Sequence, residues 1–303
     1  MPESSAKHHY LPQSYLKGFL NGSGELFVYD KKQERIFMKK DTRDVFHENH
    51  RNSFTNPMTG ERSDTLEKLY APFDHDFAIF LRKIIDSTPN KAPLEFEEKL
   101  EFMIGLCMLF WRVPAKDDRG RELLHTKGFK DGFIRISYKA TGKPIEDKVL
   151  DQLARFSGME GIYKMGISFA PFYKEEAMMN VLNWRFLYQD PGFFITGDNP
   201  ILKREDLPDI KDILNEFIFP VSAGRLLICS KEFAGIKSLG EGFCLKVGIA
   251  IIEQAQRFVC ARDAKYLQTV VDLHRQSREV LDRCGGRLLD FLYRKDSTEE
   301  MAE

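Results

Sequence analysis

Long apolar runs are missing from this chain of 303 residues, which sets aside a membrane-spanning protein. The longest run, around Phe102 to Val113, is short for a bilayer and carries Arg112 near its end. The opening MPESSAKHHY has no apolar stretch of the kind a secretory signal needs. Cysteine is sparse too. Cys107, Cys229, Cys244, Cys260 and Cys284 are odd in number, widely spaced and mostly set in apolar runs such as LLIC and FVCA, with no CxxC pair to suggest zinc or redox work. They read as buried thiols of a reducing compartment, so a soluble protein of cytoplasmic location with no membrane partner is expected. Neither sign of charge prevails, with 45 Lys plus Arg against 46 Asp plus Glu. That balance excludes a strongly basic nucleic-acid glove and leaves only local patches open. GxxxxGK[ST], GxGxxG after a strand and GxSxG are also absent, which removes the NTPase, dinucleotide-binding and serine-hydrolase classes. No internal repeat or low-complexity tract appears.

What the chain does have is aromatic bulk. With 25 Phe and 43% hydrophobic residues it can bury a large core. One domain over 1–303 is expected, with a helical lobe at 64–182 and a sheet-bearing lobe from 1–63 plus 183–303. Pro12 can start a short helix to Phe19 before the NGSG turn. ELFVYD and ERIFMKK alternate apolar and charged residues around KKQ and read as a β-hairpin. The stretch from Asp41 to Ser63, rich in His, Asn and Arg, reads as a loop of functional length. Ser63 or Asp64 can cap a helix whose apolar positions run at a 3.6-residue period to Ile85, with a kink expected at Pro72. A second helix, Leu94 to Arg112, is apolar on most sides in its second half and belongs in the core. Helical patterns continue over Asp117 to Ile136, Ile145 to Phe156 and Tyr173 to Leu182. From Asn183 the runs WRFLYQ, GFFIT, EFIFPV and RLLICS predict strands of one antiparallel sheet. A helix from Phe243 to Gln256, a strand FVCA, a long helix from Asp263 to Cys284 ended by GG, and a frayed DSTEEMAE tail complete the reading. The fold class is α+β, mainly helical, with an antiparallel sheet built from the N-terminal hairpin and strands of the C-terminal half.

Five segments in order, KHHYLPQSYLKGF, SDTLEKLYAPFD, FWRVP, FFITGDNP and IFPVSAGRLL, resemble the family called domain of unknown function 4238. The resemblance covers nearly the whole chain. It departs at Gly197, where Ser is usual before Asp198-Asn199-Pro200, and at Asp74, where a second Glu is common. It implies a shared site around these motifs more than a named reaction.

Within those motifs, Lys7, His8, His9 and Tyr10 precede the fixed Pro12, so His9 can ligate a metal or shuttle a proton and Lys7 can attract phosphate. The plainer reading is that His9 or Tyr10 anchors the amino terminus. Glu67 and Asp74, seven residues apart, lie near one helical face and suit a divalent cation or an acid and base pair. An acidic face in solvent, or pairing to Arg or Lys, is the alternative. ITGDNP delivers Thr196, Asp198 and Asn199 at a strand end, for a metal or for a turn closed by the Asp side chain. Arg112, ending an apolar helix, must find an anion or a carbonyl, and bracing Asp198 or Asp74 is favoured over binding a substrate phosphate. His47, Glu48 and His50 are ligand types at short spacing but lack the HExxH pattern.

The leading functional reading is a metal-assisted nuclease or phosphodiesterase of a bacterial or phage defence or toxin type. His9, Glu67 and Asp198 would be catalytic, and Glu67, Asp74 and Asp198 would hold Mg²⁺ or Mn²⁺. Lys7, Tyr10, Gln13, Arg112 and Asn199 would bind a nucleic-acid substrate. The rival is a non-catalytic binding module for a protein or nucleic acid, in which the same motifs lock the amino-terminal segment onto the sheet. Convergence of His9, Glu67 or Asp74, and Asp198 around one wet pocket decides between them.

Overall fold

The computed structural model describes residues 7–55, 60–89, 91–131, 136–138, 140–156, 158–203, 210–230, 241–283 and 287–293. Strand β1 (Lys7–His9) leads into a short helix α1 (Gln13–Leu16), extended by a tighter turn over Lys17–Phe19, with Pro12 in the capping position as its fixed φ favours. Strands β2 (Leu26–Asp30) and β3 (Arg35–Lys39) form the expected hairpin, with Leu26 opposite Lys39 and Asp30 opposite Arg35. The region expected to be a loop from 41 to 63 instead holds three small strands. Strand β4 (His47–Asn49) pairs with β1, and β5 (Phe54–Thr55) pairs with β6 (Arg62–Ser63). Ladders this short leave no alternation to detect in a sequence.

Helix α2 (Thr65–Asp86) runs as one element through Pro72, so the expected kink does not divide it. Asp64 does not cap it with its side chain; that carboxylate accepts a hydrogen bond from Ser53 Oγ at 2.6 Å. Helix α3 (Phe96–Arg112) opens on a capping box between Glu95 and Glu98 and buries nearly every side of its second half. The two helices approach closely because Gly105 has no side chain: a Cβ there would lie 2.2 Å from the Phe77 ring. Helices α4 (Asp117–Lys127), α5 (Asp147–Leu153), α6 (Met159–Ile167) and α7 (Glu175–Met179) follow; α4, α5 and α7 are shorter than the runs expected for them, and α6 falls where no element is expected.

The later strands do not form one sheet. Strands β7 (Trp184–Tyr188), β8 (Thr196–Gly197), β9 (Leu202–Lys203), β10 (Phe217–Ser222) and β11 (Arg225–Cys229) divide between two. Helix α8 (Glu241–Gln254) leads to strand β12 (Phe258–Ala261). One sheet has the order β7-β11-β10-β9 and the other β3-β2-β12-β8, both antiparallel. The chain passes from the first to the second through GFFIT. Gly192 presses against the Ala223 backbone, where a Cβ would stand 2.4 Å from a carbonyl oxygen, and Phe194 N–H donates to that same carbonyl. Only Thr196 and Gly197 then pair, with β12.

Helix α9 (Ala264–Gln276) is capped by Asp263, which accepts from the Tyr266 amide, as the sequence predicts. It does not continue to Cys284. It ends at Ser277, and α10 (Arg278–Arg283) and α11 (Leu288–Tyr293) follow. Cys284, the GG stop and the acidic tail lie outside the described residues.

One apolar cluster joins α1, α2 and α3 to Phe217, Phe219 and Leu227 of the first sheet and to Leu26 and Val28 of the second. Another packs α8, α9 and α11 on their other faces, through residues such as Ile218, Leu226 and Val259. Tyr15, fully buried, ties the two sheets together: its hydroxyl hydrogen-bonds Thr196 Oγ1 of β8 at 2.6 Å and donates to the Pro220 carbonyl of β10 at 2.8 Å. No helix among the described residues is long and apolar enough to cross a membrane.

Candidate functional site

Helix α3 must stop at Arg112 because Val113 is extended ahead of Pro114. The stop leaves a carbonyl without an intrahelical partner and a guanidinium inside the protein. Arg51, from the turn after β4, donates Nε and Nη2 to the Arg112 carbonyl at 3.3 and 3.0 Å, a cation placed at the negative end of a helix. The Arg112 side chain is 3% exposed. Its Nη1 donates to both oxygens of Asp74 at 2.8 Å, and the guanidinium carbon lies 4.5 Å from the centre of the Tyr70 ring. Burial opposes its charge, but the Asp74 carboxylate, by its field and its hydrogen bonds, holds the guanidinium above its usual range. Its Nε is buried with no hydrogen-bond partner.

A second ion pair sits beside the first. Asp117 Oδ1, at the start of α4, accepts from Arg51 Nη2 at 2.6 Å and from Lys164 Nζ of α6 at 2.5 Å. Burial pushes the Lys164 ammonium below its usual range, against the pull of Asp117. The lysine stem fits because α4 carries a glycine where it passes: a Cβ on Gly120 would stand 2.6 Å from Lys164 Cδ. Gly158, at φ 89°, turns the chain into α6, and its amide donates to Glu160 Oε2 at 3.0 Å.

These groups line one small cavity of about 40 Å³, bounded by Arg51, Asn52, Tyr70, Arg112, Asp117, Gly158, Glu160, Gly161 and Lys164. The lining brings three cations against two carboxylates. Burial pushes the Tyr70 hydroxyl up to about 12, with Arg112 pulling the other way. Asn52 Nδ2 donates to Glu67 Oε2 at 2.6 Å, and the Asn52 amide donates to His8 Nδ1 at 3.0 Å, so the ring's proton sits on Nε2, 3.9 Å from Asp64 Oδ1.

Glu67, Asp74 and Arg112 therefore meet around Tyr70, as one helical face of α2 requires, and Arg112 braces Asp74. Asp198 does not join them. It is 4% exposed and accepts the amides of Gln256, Arg257 and Phe258 at 2.8, 2.7 and 2.8 Å, tying β8 to the turn before β12. Burial pushes its carboxyl up, and the three amides oppose this. It closes a turn distant in the chain rather than its own. Among the described residues no group of three or more His, Cys, Asp and Glu stands together as a metal site, so Glu67, Asp74 and Asp198 are not a triad.

Most of the remaining motif residues also have structural partners. Lys7 Nζ lies 2.6 Å from Asp44 Oδ1, and His9 Nε2 is 3.1 Å from the Arg43 carbonyl with its ring 5.5 Å from His47. The buried Tyr10 amide donates to the Phe46 carbonyl, and its ring sits under Arg51. Gln13 opens α1, half-buried and without a side-chain hydrogen bond among the described residues. The buried Asn199 offers its carbonyl to Gln254 Nε2 at 2.7 Å. Arg51, Asn52, Asp117 and Lys164 belong to the cavity but carry no periodicity or motif. Their trace in the sequence is Gly120 inside a helical run and a lysine inside the apolar MEGIYKMGI.

The family model described as Protein of unknown function (DUF4238) matches residues 7–265. No curated protein and no solved structure matches the chain.

Proposed function

We propose, for a chain that belongs to the family Protein of unknown function (DUF4238), a binding module that holds an anionic group of its ligand in the Arg51–Arg112–Lys164 cavity. The observation that carries this reading is the Arg112 guanidinium, buried at the cavity wall with Nε unpartnered. A buried donor without a partner is costly, and an oxyanion is the group that matches a guanidinium best. A volume of about 40 Å³ suits one small oxyanion, a phosphate or carboxylate group, in place of water. The lock of the amino-terminal segment by His8 and Tyr15 supports the same module, since those residues spend their polar atoms on the fold. Buried free thiols at Cys107, Cys229 and Cys260 suit a cytoplasmic setting. Isothermal titration with inorganic phosphate tests the reading. Saturable binding that weakens about tenfold or more in Lys164→Met supports it, whereas no heat above dilution with folded protein overturns it.

A second reading, phosphodiester cleavage of a bacterial or phage defence or toxin type, draws on Glu67. Its carboxylate is partly buried and, among the described residues, bonds only Asn52, which leaves an oxygen for Mg²⁺ or Mn²⁺ or for a proton. Metal-dependent cleavage of single- or double-stranded nucleic acid, abolished in Glu67→Gln, would favour it over binding alone.

A further inference from the structure

The hairpin of β2 and β3 concentrates charge that the rest of the chain balances. Residues 31–40, KKQERIFMKK, hold five cations and one carboxylate in a protein whose net charge is −1. Among the described residues, strand β3 is the edge of its sheet, paired with β2 alone. Successive residues of a strand face opposite sides, so Arg35, Phe37 and Lys39 share one face. Neither Arg35 nor Lys39 has a carboxylate at ion-pairing distance among the described residues. Both cations lie over the half-buried Phe37 ring, at 5.9 and 5.7 Å from its centre.

Beside this face opens a groove of about 520 Å³, which continues past Phe46, His47, Arg257 and Phe258. Arg257 repeats the arrangement, with its guanidinium 4.5 Å from the Phe258 ring centre. The two carboxylates of the groove are already engaged. Asp30 accepts from the Lys32 and Gln33 amides and from Arg257, and Asp44 pairs with Lys7. The groove thus presents cations in excess, alternating with aromatic rings.

We propose that the groove along Arg35, Phe37, Lys39, Arg257 and Phe258 binds single-stranded nucleic acid. Arg35 and Lys39 meet the phosphates, while ring and guanidinium planes receive unstacked bases. A duplex presents no free base faces to these rings. An acidic peptide satisfies the cations but leaves the aromatic surface without a matching partner. The groove shares no residue with the Arg112 cavity, so the inference stands apart from the proposed binding module.

Fluorescence anisotropy of the full chain with a labelled twelve-nucleotide oligothymidylate tests it, run against a duplex of equal length across a salt series. The strand is expected to bind more tightly than the duplex, with log K falling against log salt at about −0.7 for each phosphate neutralised. Arg35→Glu with Lys39→Glu should weaken binding by about tenfold or more. Phe37→Leu keeps apolar volume but removes the ring, and should cost roughly fivefold or more. Circular dichroism and the urea midpoint verify that each variant is folded. Three results would overturn the inference: equal affinity for the duplex, unchanged affinity in the folded double variant, or displacement of the strand by polyglutamate at matched charge, which would mark an acidic protein surface as the partner instead.

Discussion

Arg112 sits where desolvation works hardest against a charge, and its stability is borrowed from Asp74. Removing one member of such a pair leaves the other buried and uncompensated. Because Asp74 is one-third exposed, water softens the loss, and Asp74→Ala is expected to cost about 2–3 kcal/mol, read as a fall in the urea midpoint. A larger effect than that of an exposed pair such as Arg119–Glu122 is the signature to seek. His9 gives a second test at this scale. Burial, then the neighbouring His47 ring, holds its imidazole below 6.5. The unfolded chain therefore takes up that proton first, so this contribution to stability is complete above about 6.5 and is lost as pH falls toward the depressed folded value. The urea midpoint should drop between pH 7 and 5, and His9→Asn should flatten part of that slope. Of these residues, the Glu67–Asp74 face was legible from their spacing and the need of Arg112 for an anion from its position at a helix end. Asp198 reads as a site carboxylate because an apolar strand delivers it at its end. Its three amide partners come from 58 to 60 residues further along the chain, a distance no local pattern encodes.

Helix α4 carries a glycine in its interior, which on propensity alone costs roughly 1 kcal/mol relative to alanine. Here the ordinary preference is reversed, because a methyl group at that position would meet the Lys164 stem. Gly120→Ala should therefore destabilise by about 1–3 kcal/mol in thermal unfolding, through overpacking and displacement of Lys164 from Asp117. Stabilisation would show that the stem moves aside freely. Legibility among elements followed length. Long helices such as α2 and α3, and the hairpin of β2 and β3, hold enough residues to show their period. The strands of two or three residues in 47–63, the crossing of GFFIT between sheets and the break at Ser277 are decided by tertiary contacts, so the sequence pattern ran through them unmarked.

Across the whole molecule, the buried Tyr15 hydroxyl bridges the two sheets in addition to the apolar cluster they share. Tyr15→Phe keeps the ring stacked on Phe219, 5.1 Å between centres, but leaves the Pro220 carbonyl and the Thr196 hydroxyl without that partner. A loss of about 1–3 kcal/mol is expected from the unmet polar groups, seen as a lower denaturant midpoint. An unchanged midpoint would mean that the sheets hold together by apolar packing alone. The α+β class and the family could be read from ordered motifs, whereas the division into two sheets and the charged cavity could not, because both depend on residues far apart in the chain. The account as a whole turns on an oxyanion entering that cavity, and the most direct measurement is anomalous diffraction from crystals soaked in tungstate, a heavy tetrahedral mimic of phosphate. Oxyanion binding predicts a peak inside the cavity lined by Arg51, Arg112 and Lys164, and tungstate ordered elsewhere with the cavity holding only water would contradict it.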